Sequence, residues 1–426
     1  MFNVLVLAYY FPPLGLSGVQ RTLKFVKYLP VNGWKPTVVT CEPGAYYAFD
    51  ETLLDDLKEK DVEIHRVKGK EINSRMRKKG VVEMPPEFIR KTLKFISSIF
   101  YVTDNKKSWS VQAYQYCRKM MSEYKYDLIF ISGPPFSMFE YAALLKTEFD
   151  VPLIIDYRDL WLGNHFAIYP TPLHKSLNRK KEYEVLKSAD KIIVTNRKIK
   201  ERLMEYYQFL KFPDVTILPH GYDPEDFNNN PQNITLEKGY FHLTYSGIFY
   251  EHITPKYFLE AFRMIADEKP EAAKKMKLHF AGILRKENRK LITRLGLSEY
   301  VVEHGYLNHT DAVGILKSSS ALWFMVGEGK NSDTISSGKM FEYIGSGKPI
   351  LACLADGALK STLQEYNAAV IVPPADVLAI KNAILSLYAD FQKSSLSEGS
   401  TEFRDKFRRD YLTDILAKEF NAALRV

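Results

Sequence analysis

In the stretch SGKMFEYIGSGKPIL (337–351), Lys339 and Glu342 stand three residues apart, which on a helix brings an ammonium and a carboxylate to one face. Helices that dock on a parallel sheet ordinarily turn apolar residues inward, so the pair reads in one of two ways. It is a solvated ion pair, or it is a binding element near a helix start, where backbone N–H groups and the positive dipole end favour an anion. A second charged cluster ends the apolar run in VPLIIDYRDLWLGN (151–164), with Asp156, Arg158 and Asp159 followed by Trp161. Charges beside a buried strand are costly unless they pair or bind something. Arg158 suits bidentate contact with a phosphate or carboxylate, and either aspartate suits a sugar hydroxyl. A purely structural Arg–Asp network is the alternative. In YYFPPLGLSGVQRTLKFVKYL (9–29), Gly15, Ser17 and Gly18 form a Gly-rich strand-to-helix turn whose amides suit a phosphate or a developing negative charge. The turn is not GxGxxG and no acidic ribose-binding residue follows at the usual distance, so the dehydrogenase reading is weak. A plain tight turn is the other reading. SGPPFS (132–137) supplies one more backbone-lined strand end before a helix.

These clusters need elements to position them. Short runs rich in Val, Ile and Leu alternate with helical stretches: NVLVLAYY, PTVVTC, VEIHRV, DLIFIS, VPLIIDY, KIIVTN and VTILPH in the first half. FHLTYSGIF, KLHFAGI, VVEHGYL, ALWFMV, KPILACL and AAVIVPP follow in the second. Runs without clean alternation are strands buried on both faces, and repeated strand-then-helix units give parallel, doubly wound sheets. Helices are expected at 136–149, 178–188 and 255–268, and STEFRDKFRRDYLTDILAKEF reads as one long terminal helix. The polar stretch DPEDFNNNPQN (223–233) separates the two sets as a linker. The chain therefore divides into 1–225, 226–400 and a terminal helix at 401–426. Ligands of doubly wound sheets bind beyond the carboxyl ends of the strands, so a cleft between two facing domains is the expected site.

A chain of 426 residues with 46% hydrophobic composition supports two cores. Cys41, Cys117 and Cys353 are scattered, without a CxxC pair or a His cluster of ligand spacing. This points to a reducing compartment and away from structural zinc. No apolar run reaches the roughly 20 residues of a membrane span, so a cytoplasmic protein, soluble or peripheral, is expected. Nearly all of the +8 net charge lies within residues 1–225, much of it from Arg66 to Lys94, including RMRKKG. Without a base-reading motif or an aromatic platform, nucleic acid is not the partner indicated. An anionic membrane surface fits better. PPEFIRKTLKFISSIFYV (85–102) places Ile89, Leu93 and Ile96 on one helical stripe, with Arg90, Lys91 and Lys94 largely off it. A helix that covers the domain core with a solvated basic face has the same pattern.

Taken in order, YYFPPLGLSGVQRTLKF, SGPPFS, IIDYRDLW, LPHGYDPEDF and SGKMFEYIGSGKPIL resemble retaining glycosyltransferases of family 4 with the GT-B fold. The resemblance covers most of the chain. It implies an α/β protein of two facing Rossmann-like domains, the first taking the acceptor and the second the nucleotide sugar. The last helix commonly crosses back to the first domain. It implies hexosyl transfer from a nucleotide diphosphate sugar to a glycan or lipid-linked glycan, with retention, in surface polysaccharide synthesis at the inner face of the membrane. Glu342 matches the family's second signature glutamate, which accepts from the ribose hydroxyls. Gly338 and Lys339 then face the diphosphate. Asp156, Arg158 and Asp159 are the catalytic candidates, orienting acceptor or donor hydroxyls, while Gly15, Ser17 and Gly18 approach the reacting centre.

The sequence departs from the family in places. Thr334 stands where the first signature glutamate is usual, with Asp333 beside it as a substitute. Ile248 follows Gly247 where the family often has Arg, leaving Lys256 and Arg285 as further diphosphate cations. His220 replaces the usual Asn and reads as a linker residue. There is no DxD triplet, so no metal and no cofactor are expected. Two other classes share parts of this pattern: a GT-B nucleotide-sugar epimerase or hydrolase, and a non-catalytic membrane-associated scaffold.

Overall fold

The computed structural model describes residues 1–69, 80–81, 85, 87–228 and 235–424. Its strands in chain order are β1 (Phe2–Leu7), β2 (Trp34–Cys41), β3 (Ala45–Tyr46), β4 (Glu63–Val67), β5 (Gly80–Val81), β6 (Leu128–Gly133), β7 (Leu153–Tyr157), β8 (Lys191–Val194) and β9 (Val215–Ile217). They continue with β10 (Phe241–Ser246), β11 (Met276–Ala281), β12 (Val301–Gly305), β13 (Ala321–Val326), β14 (Ile350–Leu354) and β15 (Ala369–Val372). The chain forms two compact units, Met1–His220 with Arg409–Val426, and Gly221–Arg408.

The first unit holds a seven-stranded sheet in the order β4-β2-β1-β6-β7-β8-β9, parallel at every pairing. The second holds a six-stranded sheet, β12-β11-β10-β13-β14-β15, also parallel. In each, the first strand lies inside and later strands wind outward on both sides, the Rossmann-like doubly wound order. The switch points fall at β1/β6 and β10/β13. Residues such as Val4–Leu7 of β1 and Leu322–Phe324 of β13 are buried because helices cover both sheet faces. The expected strands form these two sheets. β3 and β5, two residues each, pair separately and carry too short a pattern to be read.

Helix starts follow their caps. The Ser137–Phe149 helix begins where Asp104 accepts from the Ser137 N–H at 2.8 Å and from its hydroxyl at 2.7 Å. The SGPPFS edge is therefore already filled by a carboxylate of the chain itself. The Pro172–Ser188 helix starts six residues before the expected 178, because Thr171 caps it and Pro172 occupies its first turn. The single terminal helix expected after Ser400 is instead two, Thr401–Asp405 and Arg409–Ala423. The break comes where the Phe407 carbonyl accepts from the Tyr222 N–H at 3.0 Å and its ring meets Phe341 and Phe403. The second of these helices belongs to the first unit, where Phe420 packs on Trp34 and Phe130. Part of the expected linker is also structured: Pro224–Asn228 is a helical turn of the second unit, and 229–234 lie outside the described residues.

The Glu87–Phe100 helix turns its apolar stripe outward. Ile89, Leu93 and Ile96 are 47%, 56% and 46% exposed, with Phe88 and Phe100 more exposed still at its two ends. The stripe does not cover a core. RMRKKG, apart from Gly80, lies outside the described residues. Among those described, no helix is long and apolar enough to cross a membrane.

Candidate functional site

In the first unit the expected residues gather at the carboxyl ends of β1, β6 and β7. Asp156, next to last in β7, lies beside Ser132 of β6 and is fully buried. Arg21, on the Ser17–Tyr28 helix, grips it with two arms: Nε donates to Oδ2 at 2.9 Å and Nη2 to Oδ1 at 2.8 Å. The Ser132 hydroxyl donates to Oδ2 at 2.7 Å. Arg21 also donates to the carbonyls of Leu218 and Pro219 at 2.9 and 2.8 Å. Asp156 thus holds Arg21 and three strand ends together, and it offers no open oxygen to a sugar hydroxyl. Arg21 was invisible as a partner in the sequence, where only its charge on an otherwise apolar helix face marked it.

Arg158 is a clamp for loops. Its guanidinium donates to the Pro134 carbonyl at 2.7 Å, to the Gly133 carbonyl at 3.3 Å and to the Gly18 carbonyl. Burial pushes its pKa down, against the opposing pull of Asp159 and Asp156. Asp159 differs. It is half-buried, and among the described residues its carboxylate makes no hydrogen bond or ion pair, acting on Arg158 only through its charge. Of the three candidates it alone keeps an open carboxylate. In the turn after β1, the Gly15 N–H donates to the Ala48 carbonyl, and Ser17 and Gly18 open the following helix. The strained residue is Leu16, at φ 71° and ψ 164°, a region costing non-glycine residues on the order of 1–3 kcal/mol and frequent at functional sites. Nearby His220 is buried; desolvation first, and then Arg21, Arg409 and Arg158, hold it neutral.

In the second unit the expected residues of 337–351 follow β13, beside the β10/β13 switch point. Gly338 opens the Gly338–Ser346 helix, and Ser337 before it gives no side-chain cap, so the first amides stay available. The Lys339 ammonium contacts the Tyr245 hydroxyl at 2.9 Å and stands 4.7 Å from the ring centre. Burial brings its pKa down to about 8, opposed by Glu342. Gly247 makes room for it: at φ +133° the backbone favours glycine, and an added Cβ would overlap the ammonium and lie 2.9 Å from Lys339 Cε. The Ser246 N–H donates to the Tyr343 hydroxyl at 2.6 Å, tying this helix to the end of β10.

Lys339 and Glu342 form no ion pair with each other among the described residues, which removes the surface-pair reading. Glu342, about a fifth exposed, instead faces His309: Oε1 is 4.0 Å from Nδ1, and His309 Nε2 meets Asp226 Oδ2 at 2.8 Å. Thr334 is buried and donates its hydroxyl to the Asn331 carbonyl, while Asp333 beside it stays half-buried. Arg285 is nearly buried, its Nε 3.7 Å from Glu287. Lys256 is exposed at the start of its helix, with its ammonium over the Tyr257 ring. The structure therefore brings Lys339, Gly338 and Glu342 onto one helix end beside Gly247, while the contacts of Lys256 and Arg285 are with Tyr257 and Glu287.

Comparison with known families matches the Glycosyltransferase Family 4 model over residues 17–226 and the Glycosyl transferases group 1 model over 241–390. Sucrose-phosphate synthase from Thermosynechococcus elongatus has a similar structure, with TM-score 0.67, 14% identity and 99% of both chains covered. HepE of Anabaena in complex with UDP matches with TM-score 0.64 and 12% identity, over 99% of this chain and 100% of that one. A putative UDP-N-acetylglucosamine 2-epimerase from Listeria monocytogenes matches at TM-score 0.59 and 12% identity, over 100% of this chain and 97% of that one. No curated protein matches the chain. The likenesses to solved structures establish the fold, which transferases and an epimerase share; the two family models both describe transferases.

Proposed function

The chain is a glycosyltransferase of family 4 with the GT-B fold, and we propose that it moves a hexose from a nucleotide diphosphate sugar to a glycan or lipid-linked glycan. The observation that carries this reading is Lys339: a half-buried ammonium at an uncapped helix start, in a slot kept open by Gly247. Such a slot suits a diphosphate, which receives the ammonium and the backbone amides together. Glu342, one turn further on, accepts from the ribose hydroxyls. The HepE structures hold UDP and UDP-glucose, which supports a nucleotide sugar as donor.

In the first unit, Asp159 orients an acceptor hydroxyl, and the Gly15–Gly18 turn presents the amides that follow Gly15, whose own N–H is taken by the Ala48 carbonyl. Asp156, Arg158 and Arg21 hold these loops in place. Retention follows the family; the leaving diphosphate takes the acceptor's proton, so the protein contributes position and charge. Side-chain cations and the helix end serve in place of a metal, a reading supported by the absence of a DxD triplet. The exposed Glu87–Phe100 helix, with Arg90, Lys91 and Lys94, docks the enzyme on the anionic inner face of a membrane, where surface polysaccharides are built.

A thermal-shift panel of nucleotide diphosphates and nucleotide sugars, beginning with UDP and UDP-glucose, tests the donor assignment. A ligand at 100 times its Kd should stabilise by about 2.7 kcal/mol. No shift with any of them would refute it. Isomerisation of the nucleotide sugar without acceptor would place the chain with the epimerases.

A further inference from the structure

The loop that carries Asp159 is held from behind by the Pro172–Ser188 helix. Asn178 and Glu182, four residues apart and both buried, face it together. Asn178 Oδ1 accepts from Trp161 Nε1 at 2.8 Å. Glu182 Oε2 accepts from the Leu162 N–H at 3.0 Å, three residues after Asp159, and from the Tyr207 hydroxyl at 2.8 Å. The loop closes on itself where the Tyr169 hydroxyl donates to the Trp161 carbonyl at 3.1 Å.

Glu182 is an unusual residue to find here. Its side chain has no solvent exposure. The titratable groups facing it are three tyrosines: Tyr157 from β7, Tyr169 from the loop and Tyr207 from beyond the Arg197–Tyr206 helix. Arg179, on Glu182's own helix, acts on Tyr207. Among the described residues, Glu182 Oε1 and the Tyr157 hydroxyl make no hydrogen bond of good geometry, although the two groups act on each other. An ionised carboxylate in such surroundings is costly, since tyrosine hydroxyls and one amide replace its water.

We propose that Glu182 is a positioning residue for Asp159, holding its loop in the working geometry as an uncharged carboxylic acid. This rests on the reading of Asp159 as the acceptor-orienting group. Burial supports it by raising the Glu182 pKa to about 7, so the proton leaves near neutral pH. Ionisation then draws the hydroxyls and the Leu162 amide toward a charge the pocket cannot solvate, and the loop loses its register.

Turnover at saturating donor should be followed from pH 6 to 8.5 in the full-length protein, for the wild type, Glu182→Gln and Glu182→Ala. Glutamine keeps the shape and the acceptor oxygen but cannot ionise. The ratio of wild-type to Gln turnover should be near one at pH 6 and fall several-fold as pH rises through 7. The Ala variant should lose turnover by about 100-fold, as misplaced reacting groups do, with nucleotide affinity kept. Should Ala fail to fold, the Gln pH profile and a Tyr207→Phe variant, which removes one donor to Glu182, carry the test. A wild-type to Gln ratio constant across pH, or Gln as impaired as Ala throughout, would overturn the proposal. Asp159→Asn separates it from its premise: unchanged turnover in that variant refutes the acceptor-side reading whatever Glu182 does.

Discussion

Lys339 Nζ lies 2.9 Å from the Tyr245 hydroxyl and 4.7 Å from the centre of the same ring, in space that a side chain at position 247 would fill. The residues are 94 apart in the chain. Burial there leaves the ammonium with a pKa of about 8, so its charge is lost just above neutral pH.

The sign follows directly. A bound diphosphate favours the protonated form, so affinity is full below the free-protein pKa and falls as pH rises through 8. Calorimetry should show nucleotide diphosphate Kd rising about tenfold between pH 7 and 9. Lys339→Met should bind weakly at every pH, with that dependence gone. A wild-type Kd flat across this range would remove Lys339 from the diphosphate site.

Glu342 gives the second test. If it accepts from two ribose hydroxyls, Glu342→Ala should weaken nucleotide binding by about 2–4 kcal/mol, roughly 30- to 1,000-fold. The fold should survive, because the side chain reaches the surface and removing it leaves no buried charge unpaired. His309→Ala, which leaves the Glu342 carboxylate in place, should cost less. Unchanged affinity in Glu342→Ala would end the ribose assignment.

The charged candidates of the first unit divide by burial. Arg21 and Asp156 form a fully buried, two-armed pair, and removing one partner of such a pair costs about 3–5 kcal/mol. Arg21→Ala and Asp156→Ala should therefore lower the urea midpoint strongly. Asp159→Asn, at an open carboxylate, should unfold like the wild type yet lose turnover. If Asp159→Asn is the destabilised variant, the roles given to these aspartates are reversed.

What the sequence makes legible depends on how local the cause is. Strands such as VLVL and LIIDY announce themselves, because two buried faces demand continuous apolar runs. Lys339 and Glu342 share a helix face by spacing alone, yet nothing local shows that they avoid each other for Tyr245 and His309. Arg21 meets Asp156 across 135 residues, so its role needs the sheet order first. Glu182, in the polar run RKKEYEVLKS, has the look of a surface residue, and only the helix orientation buries it. Leu16 at positive φ sits between glycines that were the obvious suspects.

Three adjacent strands carry one histidine each, and the topology lines them up. The Glu237 carbonyl accepts from His242 Nε2 at 2.7 Å, His242 Nδ1 meets His279 Nε2 at 2.8 Å, and His279 Nδ1 meets His304 Nε2 at 2.9 Å. The carbonyl fixes the direction: each Nε2 donates and each inner Nδ1 accepts, so His242 and His279 must stay neutral. Burial depresses both, His279 to about 3. The unfolded chain takes up these protons near pH 6.5, so stability present above that value is lost as pH falls toward 3. Denaturation from pH 7 to 4 should show wild type losing on the order of 2–4 kcal/mol more than His279→Leu. Parallel pH profiles for the two proteins would disprove the ladder's role.

The last prediction concerns the membrane. The Glu87–Phe100 helix exposes Ile89, Leu93 and Ile96 as one stripe, and Phe88 and Phe100 extend it at both ends. A soluble surface gains nothing from such a row, whereas a bilayer interface buries it. Arg90, Lys91 and Lys94 accompany the stripe, and each cation near an anionic surface adds roughly 1 kcal/mol within a Debye length of about 8–10 Å. Charge and apolar burial should contribute separately, so two variants are needed. In vesicle co-sedimentation, the wild type should bind anionic vesicles, bind less as salt rises, and ignore neutral ones. Arg90→Glu with Lys91→Glu and Lys94→Glu should abolish steering. Leu93→Gln with Ile96→Gln should shorten residence while leaving the salt dependence intact. Equal binding to neutral vesicles, or no binding to either, would refute membrane docking and leave a soluble glycan as the acceptor.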